Sequence, residues 1–155
     1  MSYKEVKGDL ISLAKKGEFD AIAHGCNCFC SMKSGIAPQI AEAFGCDKYP
    51  FEETKFKGNI NKLGAIDYKE INNVTVINAY TQYFNRTLNP DKDAINLDYQ
   101  ALSLCLRKIN HTFKGKKIGL PQIGAGLAGG NWYLIREIIQ KELKDCNVTI
   151  VIYEK

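Results

Sequence analysis

Three glycines at a fixed spacing form the segment of this chain most suggestive of chemistry. Gly124, Gly126 and Gly129 follow the pattern Gly-x-Gly-x-x-Gly, between an apolar stretch at 117–120 and a helical pattern opened by Asn131. Without Cβ atoms, the backbone N–H groups of such a loop can approach an oxyanion, and the next helix N-terminus adds partial positive charge. We predict a diphosphate-binding loop, with a ligand-free flexible turn as the alternative.

The same glycine pattern occurs in nicotinamide-binding Rossmann domains, where it follows the first strand of the domain. Two further strand-helix units and an acidic partner for the ribose must then follow. Only one helical pattern and one apolar stretch follow Gly129 in this chain. Hydride transfer is therefore not expected.

A second loop of small and polar residues spans 24–35 and also leaves an apolar stretch and enters a helical pattern. In α/β proteins, ligands bind at the carboxyl ends of the strands, where such loops lie. Two loops of this kind on one edge of a sheet predict a cleft between them.

Six cysteines raise the questions of disulfides, metal binding and nucleophilic catalysis. The N-terminus has no secretion signal, so we expect thiols in a reducing compartment. Cys26, Cys28 and Cys30 alternate after His24, but the chain has no Cys-x-x-Cys pair, so no metal site is expected. Neither loop contains the arginine that a thiol phosphatase needs, so a cysteine nucleophile is not expected either.

Hydrophobic periodicity places the two loops in an alternation of strands and helices. Strands are predicted at 3–7, 20–24, 63–70, 74–81, 117–120 and 148–153. Helices are predicted at 10–14, at 35–44, weakly at 50–56, from a cap at Asn96 to about 113, and after Asn131. Gly25 is expected to end the second strand, Ile71, Asn72 and Asn73 to form a turn, and 85–93 to form a loop. The pattern predicts an α/β layered domain with a mixed sheet.

Composition and charge narrow the function classes. The chain has 155 residues, 45% of them hydrophobic, and we expect one domain over 1–155. The net charge of +4 is dispersed, so charge does not argue for nucleic-acid binding, and no apolar run is long enough to span a membrane. We expect a cytoplasmic monomer, in the host cytoplasm if the gene is viral or phage-borne.

Four short motifs, in this order, carry a family resemblance: Gly8-Asp9-Leu10, His24-Gly25-Cys26-Asn27, Gly35-Ile36-Ala37 and Leu120-Pro121-Gln122-Ile123-Gly124-Ala125-Gly126. With them the chain resembles a macrodomain, the ADP-ribose-binding module, over essentially its whole length. The resemblance implies a three-layer α/β/α sandwich with a central mixed β-sheet, and ADP-ribose lying across the strand ends. It implies no cofactor and no metal.

The resemblance also implies a role for individual residues. Asp9 would accept a hydrogen bond from the adenine amino group, with Leu10 beside the ring and Tyr153 a candidate to pack on it. Asn27 would orient the terminal ribose. The diphosphate would lie between two backbone segments: Gly35, Ile36 and Ala37 on one side, and Gln122, Ile123, Gly124, Ala125, Gly126, Leu127, Ala128 and Gly129 on the other. Asp9 could equally be a helix cap, Tyr153 a sheet residue, and Trp132, after the glycine loop, a core residue or a ligand shield.

The form His-x-Cys-Asn-Cys is similar to the macrodomain branch that removes phosphate from ADP-ribose-1''-phosphate. A histidine near the terminal ribose can act as a general acid or base, which asparagine cannot, so we predict that His24 is catalytic. A buried histidine held by a hydrogen bond is the alternative. The loop 124–130 lacks the acidic residue that some members of this branch carry.

We therefore expect a phosphoric monoester hydrolase that binds ADP-ribose or ADP-ribose-1''-phosphate. The first alternative is a non-catalytic ADP-ribose-binding module. The second is a hydrolase that removes ADP-ribose from modified macromolecules, although the lysine after the central strand and the loop acid of that branch are missing.

Overall fold

Six strands and four helices alternate along the chain in the computed structural model, which describes residues 2–29, 36–44, 58–85, 87–126 and 128–154. The strands are β1 (Tyr3–Gly8), β2 (Ala21–Asn27), β3 (Ile66–Ile71), β4 (Val74–Gln82), β5 (Lys117–Leu120) and β6 (Asn147–Tyr153). The helices are α1 (Leu10–Lys15), α2 (Ala37–Phe44), α3 (Tyr99–Thr112) and α4 (Trp132–Glu142), with a short 3-10 turn at Ile60–Lys62.

The strands form one mixed sheet in the order β1-β6-β5-β2-β4-β3. The first five strands in that order pair in parallel, and β3 is an antiparallel edge strand. Asn72 and Asn73 connect β3 to β4 with φ angles of 52° and 71°. Two consecutive positive φ angles are typical of the tight hairpin turns that asparagine tolerates, so the predicted turn is confirmed at Asn72 and Asn73. Its first predicted residue, Ile71, belongs instead to β3, because it pairs with Val74.

Apolar side chains cover both faces of the sheet. On β2, Ala21 and Ala23 pack with the buried faces of α3 and α4, whereas Ile22 packs with α1 and α2 on the other face. This follows from the period-2 alternation of a strand. The predicted three-layer α/β/α sandwich with a mixed sheet is confirmed.

Two predicted boundaries are wrong. The second strand does not end at Gly25, because β2 stays paired with β4 through Cys26 and reaches Asn27, with a register shift between these two residues. The N-terminal cap of α3 is Asp98 rather than the predicted Asn96, and the side chain of Asp98 accepts a hydrogen bond from the backbone N–H of Ala101. The first error arises because strand pairing depends on neighbours that are remote in sequence. The second arises because the N–H groups of Asn96 and Leu97 donate to the carbonyl oxygen of Ala128, so the helix begins only after Asp98.

A third predicted boundary is wrong as well. The third predicted strand begins three residues later than expected, at Ile66, because a 3-10 turn occupies 60–62. Asn131 caps α4 as predicted, its side chain accepting from the N–H of Tyr133. The weak helix at 50–56 lies outside the described residues. Within the described part of the chain, none of the helices has the length and apolar character needed to cross a membrane.

A pair of leucines on α3 tests the buried layer. Leu106 is fully buried in the α3/α4 core, whereas Leu104 is 39% exposed. We expect Leu106→Ala to lower the free energy of unfolding by about 2–5 kcal/mol through lost transfer energy and a cavity, and Leu104→Ala by less than about 1 kcal/mol. Urea denaturation measures both, and equal losses would contradict the assignment of the buried face.

Candidate functional site

A cleft with a volume of about 750 Å³ lies at the carboxyl edge of the sheet. Its lining includes five of the residues predicted to bind ligand, namely Asp9, Leu10, Ile36, Gln122 and Tyr153. These residues come from segments remote in sequence, and the fold brings them together because β1, β6 and β5 are parallel neighbours. Side chains not singled out from the sequence also line it: Lys15, Gln39 and Glu42.

Asp9 and Tyr153 lie at one end of this cleft, after β1 and on the last residue of β6. The carboxylate of Asp9 caps α1 by accepting from the N–H of Ser12 at 3.0 Å. Gly8 and Tyr153 are direct partners in the parallel pairing of β1 and β6. The side chain of Tyr153 is largely in solvent, with 66% of the residue exposed. Capping of α1 therefore accounts for one carboxylate oxygen of Asp9. The exposed ring of Tyr153 is not part of the core that the structure describes.

The glycine loop follows β5. Its first predicted residue, Gln122, lines the cleft, whereas Gly124, Gly126 and Gly129 are not among the lining residues that the structure describes. Gly124 and Gly129 both have φ of 78°, and a Cβ on Gly124 would meet Leu97 at 2.9 Å, so the backbone requires glycine there. Gly126 has no such requirement, because a Cβ at this position would meet no described atom within 4 Å. The lack of a side chain at Gly126 leaves open space beside the loop.

Hydrogen bonds within the glycine loop engage some of its backbone N–H groups and not others. The N–H groups of Ala125 and Gly130 donate to Gln122 and Gly124. Within the described part of the chain, the N–H groups of Gly124, Gly126 and Ala128 donate no backbone hydrogen bond. Backbone donors normally find a partner, so this loop has spare capacity for an anionic or polar ligand.

The side chains of the other predicted loop residues face elsewhere. Ile123 and Ala128 are buried in the α3/α4 core, and the half-buried Ala125 and Trp132 pack against the same core. Ile123 and Ala128 can therefore offer a ligand only their backbone, whereas Ala125 and Trp132 also have partly exposed side chains. Ala37 begins α2. Gly35 and Leu127 lie outside the described residues.

Asn27 ends β2, next to β5 and β4 in the sheet. It is 5% exposed, and its side-chain oxygen accepts from the N–H of Phe29 at 3.0 Å in a local turn. Phe29 in turn stacks on Phe84 with 5.7 Å between ring centroids and meets Tyr83 edge-on at 5.1 Å. Sequence reasoning missed this aromatic cluster, although the Tyr83-Phe84 pair directly after the carboxyl end of a strand was a signal for it.

His24 lies three residues inside the edge and is buried, with 1% exposed. Its Nε2 is 2.7 Å from Oδ1 of Asn78, whose Nδ2 donates to Oδ1 of Asp67 at 2.8 Å. Because Asn78 presents its oxygen to the imidazole, Nε2 of His24 carries the proton and donates. Tyr80 donates to the other oxygen of Asp67 at 2.5 Å. The four side chains form a buried polar chain across β2, β4 and β3.

Burial also determines the charges along this chain. It lowers the pKa of His24 to about 4, against the smaller upward effect of the Asn78 hydrogen bond. It raises the pKa of Asp67 to about 6, although bonds from Tyr80 and Asn78 and the ammonium of Lys62 oppose the change. At neutral pH the imidazole of His24 is therefore neutral. The alternative of a buried, hydrogen-bonded histidine describes this arrangement, and the catalytic role of His24 stays a prediction.

Cys26, Cys28, Cys105 and Cys146 are buried thiols. Cys26 lies beside His24, with Sγ 3.6 Å from Nε2. Burial raises the pKa of Cys105 to about 12 and that of Cys146 to about 11. Within the residues described, no three His, Cys, Asp or Glu side chains are grouped so as to hold a metal ion.

The two titratable groups of the polar chain predict a pH effect on stability. The unfolded chain protonates His24 near its ordinary pKa of 6.5 and the folded chain only near 4, so His24 destabilises the fold as pH falls through that window. Asp67 has the opposite sign, because the folded chain takes up its proton near pH 6 and the unfolded chain near 3.8. The two contributions oppose each other between pH 6 and 4.

We expect Asp67→Asn to remove the opposing effect of Asp67, so that the pH dependence of the free energy of unfolding shows the effect of His24. Between pH 6 and 4.5, the free energy of unfolding of this variant should fall by up to about 1.4 kcal/mol per pH unit, more steeply than that of the wild type. Urea denaturation over this pH series measures the slopes, with the exposed Asp93→Asn as the matched control. Parallel slopes for Asp67→Asn and the wild type would contradict the opposition.

The chain is similar to known proteins both in sequence and in fold. No protein-family model matches the sequence. The chain is 33% identical to an uncharacterized 17.5 kDa protein in the tk-vs intergenic region of Enterobacteria phage T4, over 99% of this chain and 98% of the relative. A solved structure from Bacteroides thetaiotaomicron, of unknown function, is similar with a TM-score of 0.78 at 23% identity, covering 98% of each chain.

Two further solved structures carry a family name. The macrodomain of Thermus aquaticus DarG is similar with a TM-score of 0.68 at 18% identity, over 99% of this chain and 98% of that one. The Trypanosoma brucei macrodomain in complex with ADP-ribose has the same TM-score at 15% identity, over 99% of this chain and 64% of that one. The resemblance seen in the sequence is confirmed at the level of the fold. The chain has the macrodomain fold, and it belongs to the same family as the 17.5 kDa protein of phage T4.

Proposed function

We propose that this protein binds ADP-ribose in the cleft at the carboxyl edge of its sheet. The observation that carries the proposal is the convergence of Asp9, Tyr153 and Gln122, from three neighbouring strand ends, on one cleft of about 750 Å³. A volume of this size is typical of small-molecule sites. The similar Trypanosoma brucei macrodomain is a complex with ADP-ribose.

The adenine end of the ligand is assigned to Asp9 and Tyr153. The cap bond occupies Oδ1 of Asp9, and Oδ2 can accept from the exocyclic amino group of adenine. The exposed ring of Tyr153, on the neighbouring strand, supplies a face against which a purine can pack. Leu10 adds apolar contact at the same end.

The diphosphate is assigned to the glycine loop. The spare N–H groups of Gly124, Gly126 and Ala128 are the donors, and the open space at Gly126 is the room that a phosphate needs. Side-chain charge in the cleft adds little attraction for a diphosphate, because the lining contains the carboxylates of Asp9 and Glu42 as well as the ammonium of Lys15. Backbone donors therefore carry most of the recognition. Asn27, at the end of the next strand, is the group assigned to the terminal ribose.

A second and finer proposal is hydrolysis of the phosphomonoester of ADP-ribose-1''-phosphate, with His24 as the acid/base residue. It is favoured by the place of His24 on the strand that ends in Asn27. At neutral pH the imidazole of His24 is uncharged, with its Nε2 proton directed to Asn78, so it would act as a general base rather than a general acid, and its lowered pKa makes it a weak base. Burial of His24 requires that a water or the ligand's terminal group reach it between the two loops.

The binding proposal is tested at Asp9. Asp9→Ser keeps an oxygen that can cap α1 but removes the carboxylate, so we expect ADP-ribose to bind about tenfold more weakly while the melting temperature changes little. Titration calorimetry measures the affinity, and Asp93→Ser, at an exposed loop carboxylate, is the matched control. Unchanged affinity in Asp9→Ser would remove Asp9 from the site, and folded wild type without any binding heat would refute the proposal.

The phosphatase proposal is tested at His24. His24→Gln keeps a side-chain N–H that can donate to Asn78 but removes the titratable ring. We expect the wild type to release phosphate from ADP-ribose-1''-phosphate at neutral pH and the variant to lose this activity while still binding ADP-ribose. Phosphorus NMR follows both reactions. Equal rates would exclude His24 as the acid/base residue, and a wild type that binds without turnover would make the protein a binding module.

A further inference from the structure

A second cavity, with a volume of about 310 Å³, opens at the same edge of the sheet beyond β2. Its lining includes the aromatic pair Tyr83 and Phe84 after β4, and the segment that precedes α3. The residues that matter for its chemistry are Tyr83, Phe84, Asn89, Ile95, Asn96 and Asp98. None of them belongs to the cleft assigned to ADP-ribose.

Strand order determines where this cavity lies relative to that cleft. Along the carboxyl edge the strands follow the order β1, β6, β5, β2, β4. Asp9 follows β1, Gln122 follows β5, Asn27 ends β2, and Phe84 follows β4. Neighbouring strands are about 4.8 Å apart, so the cavity is one strand beyond the group assigned to the terminal ribose.

Direct contacts join the cavity to both loops of the proposed site. The N–H groups of Asn96 and Leu97 donate to the carbonyl oxygen of Ala128 in the glycine loop. From the other side, Phe29 is tied to Asn27 through its N–H and stacks on Phe84. The cavity therefore adjoins Phe29 and Ala128, close to Asn27, the group assigned to the terminal ribose and its anomeric carbon.

The lining of this cavity suits a flat ring better than a phosphate. Tyr83 and Phe84 are half-buried and pack edge to face with 4.7 Å between centroids, and Ile95 is 60% exposed. Asp98 is the acidic member, and within the described residues no Lys or Arg lines the cavity. A carboxylate in the lining disfavours a phosphate, whereas aromatic faces favour a planar ring, neutral or cationic.

We propose that this cavity is a subsite for a planar aromatic ring bonded to the anomeric carbon of the terminal ribose, stacked on Phe84. The proposal rests on the proposed binding of ADP-ribose and specifies the class of derivative that the site accommodates. NAD+ is the simplest probe, because it is ADP-ribose with a nicotinamide ring at that carbon. Its pyridinium charge also suits the carboxylate of Asp98.

The experiment compares ADP-ribose and NAD+ by titration calorimetry on the full chain. We expect the wild type to bind NAD+ about fivefold more tightly than ADP-ribose, which is the size of effect that one aromatic stack produces. Phe84→Leu should bind both ligands alike and should leave the affinity for ADP-ribose unchanged. Phe113→Leu is the matched control, because Phe113 is a half-buried ring that meets Tyr68 edge-on at the far end of α3. It should keep the fivefold preference.

Two results would overturn the subsite while leaving the proposed function intact. The first is a wild type that binds ADP-ribose but binds NAD+ no more tightly. The second is a preference for NAD+ that survives in Phe84→Leu. A folded wild type that binds neither ligand would refute the proposed function and the subsite together.

Discussion

The parallel pairing of five strands is the constraint on which this structure depends. Because β1, β6, β5, β2 and β4 run in one direction, their carboxyl ends share one edge of the sheet. The side chains of the central strands β2 and β4 are almost all buried, so groups available for chemistry there occur where a strand ends. The residues after these strands therefore form one continuous row.

Depth below this edge separates the polar groups into two kinds. Asp9, Gln122 and Tyr153 lie at the edge and line a cleft. His24 lies three residues below the edge, where desolvation keeps it neutral and Oδ1 of Asn78 accepts a hydrogen bond from its Nε2. The buried chain from His24 to Asp67 and Tyr80 joins three strands and satisfies its members, which is what a low-dielectric interior requires of polar groups.

Much of this arrangement was predictable from the sequence, and the exceptions have physical causes. Strand and helix types followed from the period of apolar residues, and the glycine loop from its spacing. The cap of α3 and the end of β2 were misplaced, since Asp98 and Asn27 owe their roles to partners that periodicity does not show. Asn78 and Asp67 were missed because a polar residue inside a strand gives no sign of its cross-strand partner. The ring of Phe84 was missed because strand order, not sequence order, puts it beside Phe29.

Mapping of ADP-ribose onto the amides of the ¹⁵N-labelled protein tests the central claim most directly. The account predicts saturable shifts largest at the carboxyl edge, at Asp9, Gly126 and Tyr153, with little change at the opposite ends of the same strands, such as Tyr3, Ala21 and Lys117. Shifts concentrated at those opposite ends, or none at millimolar ligand, would contradict the account.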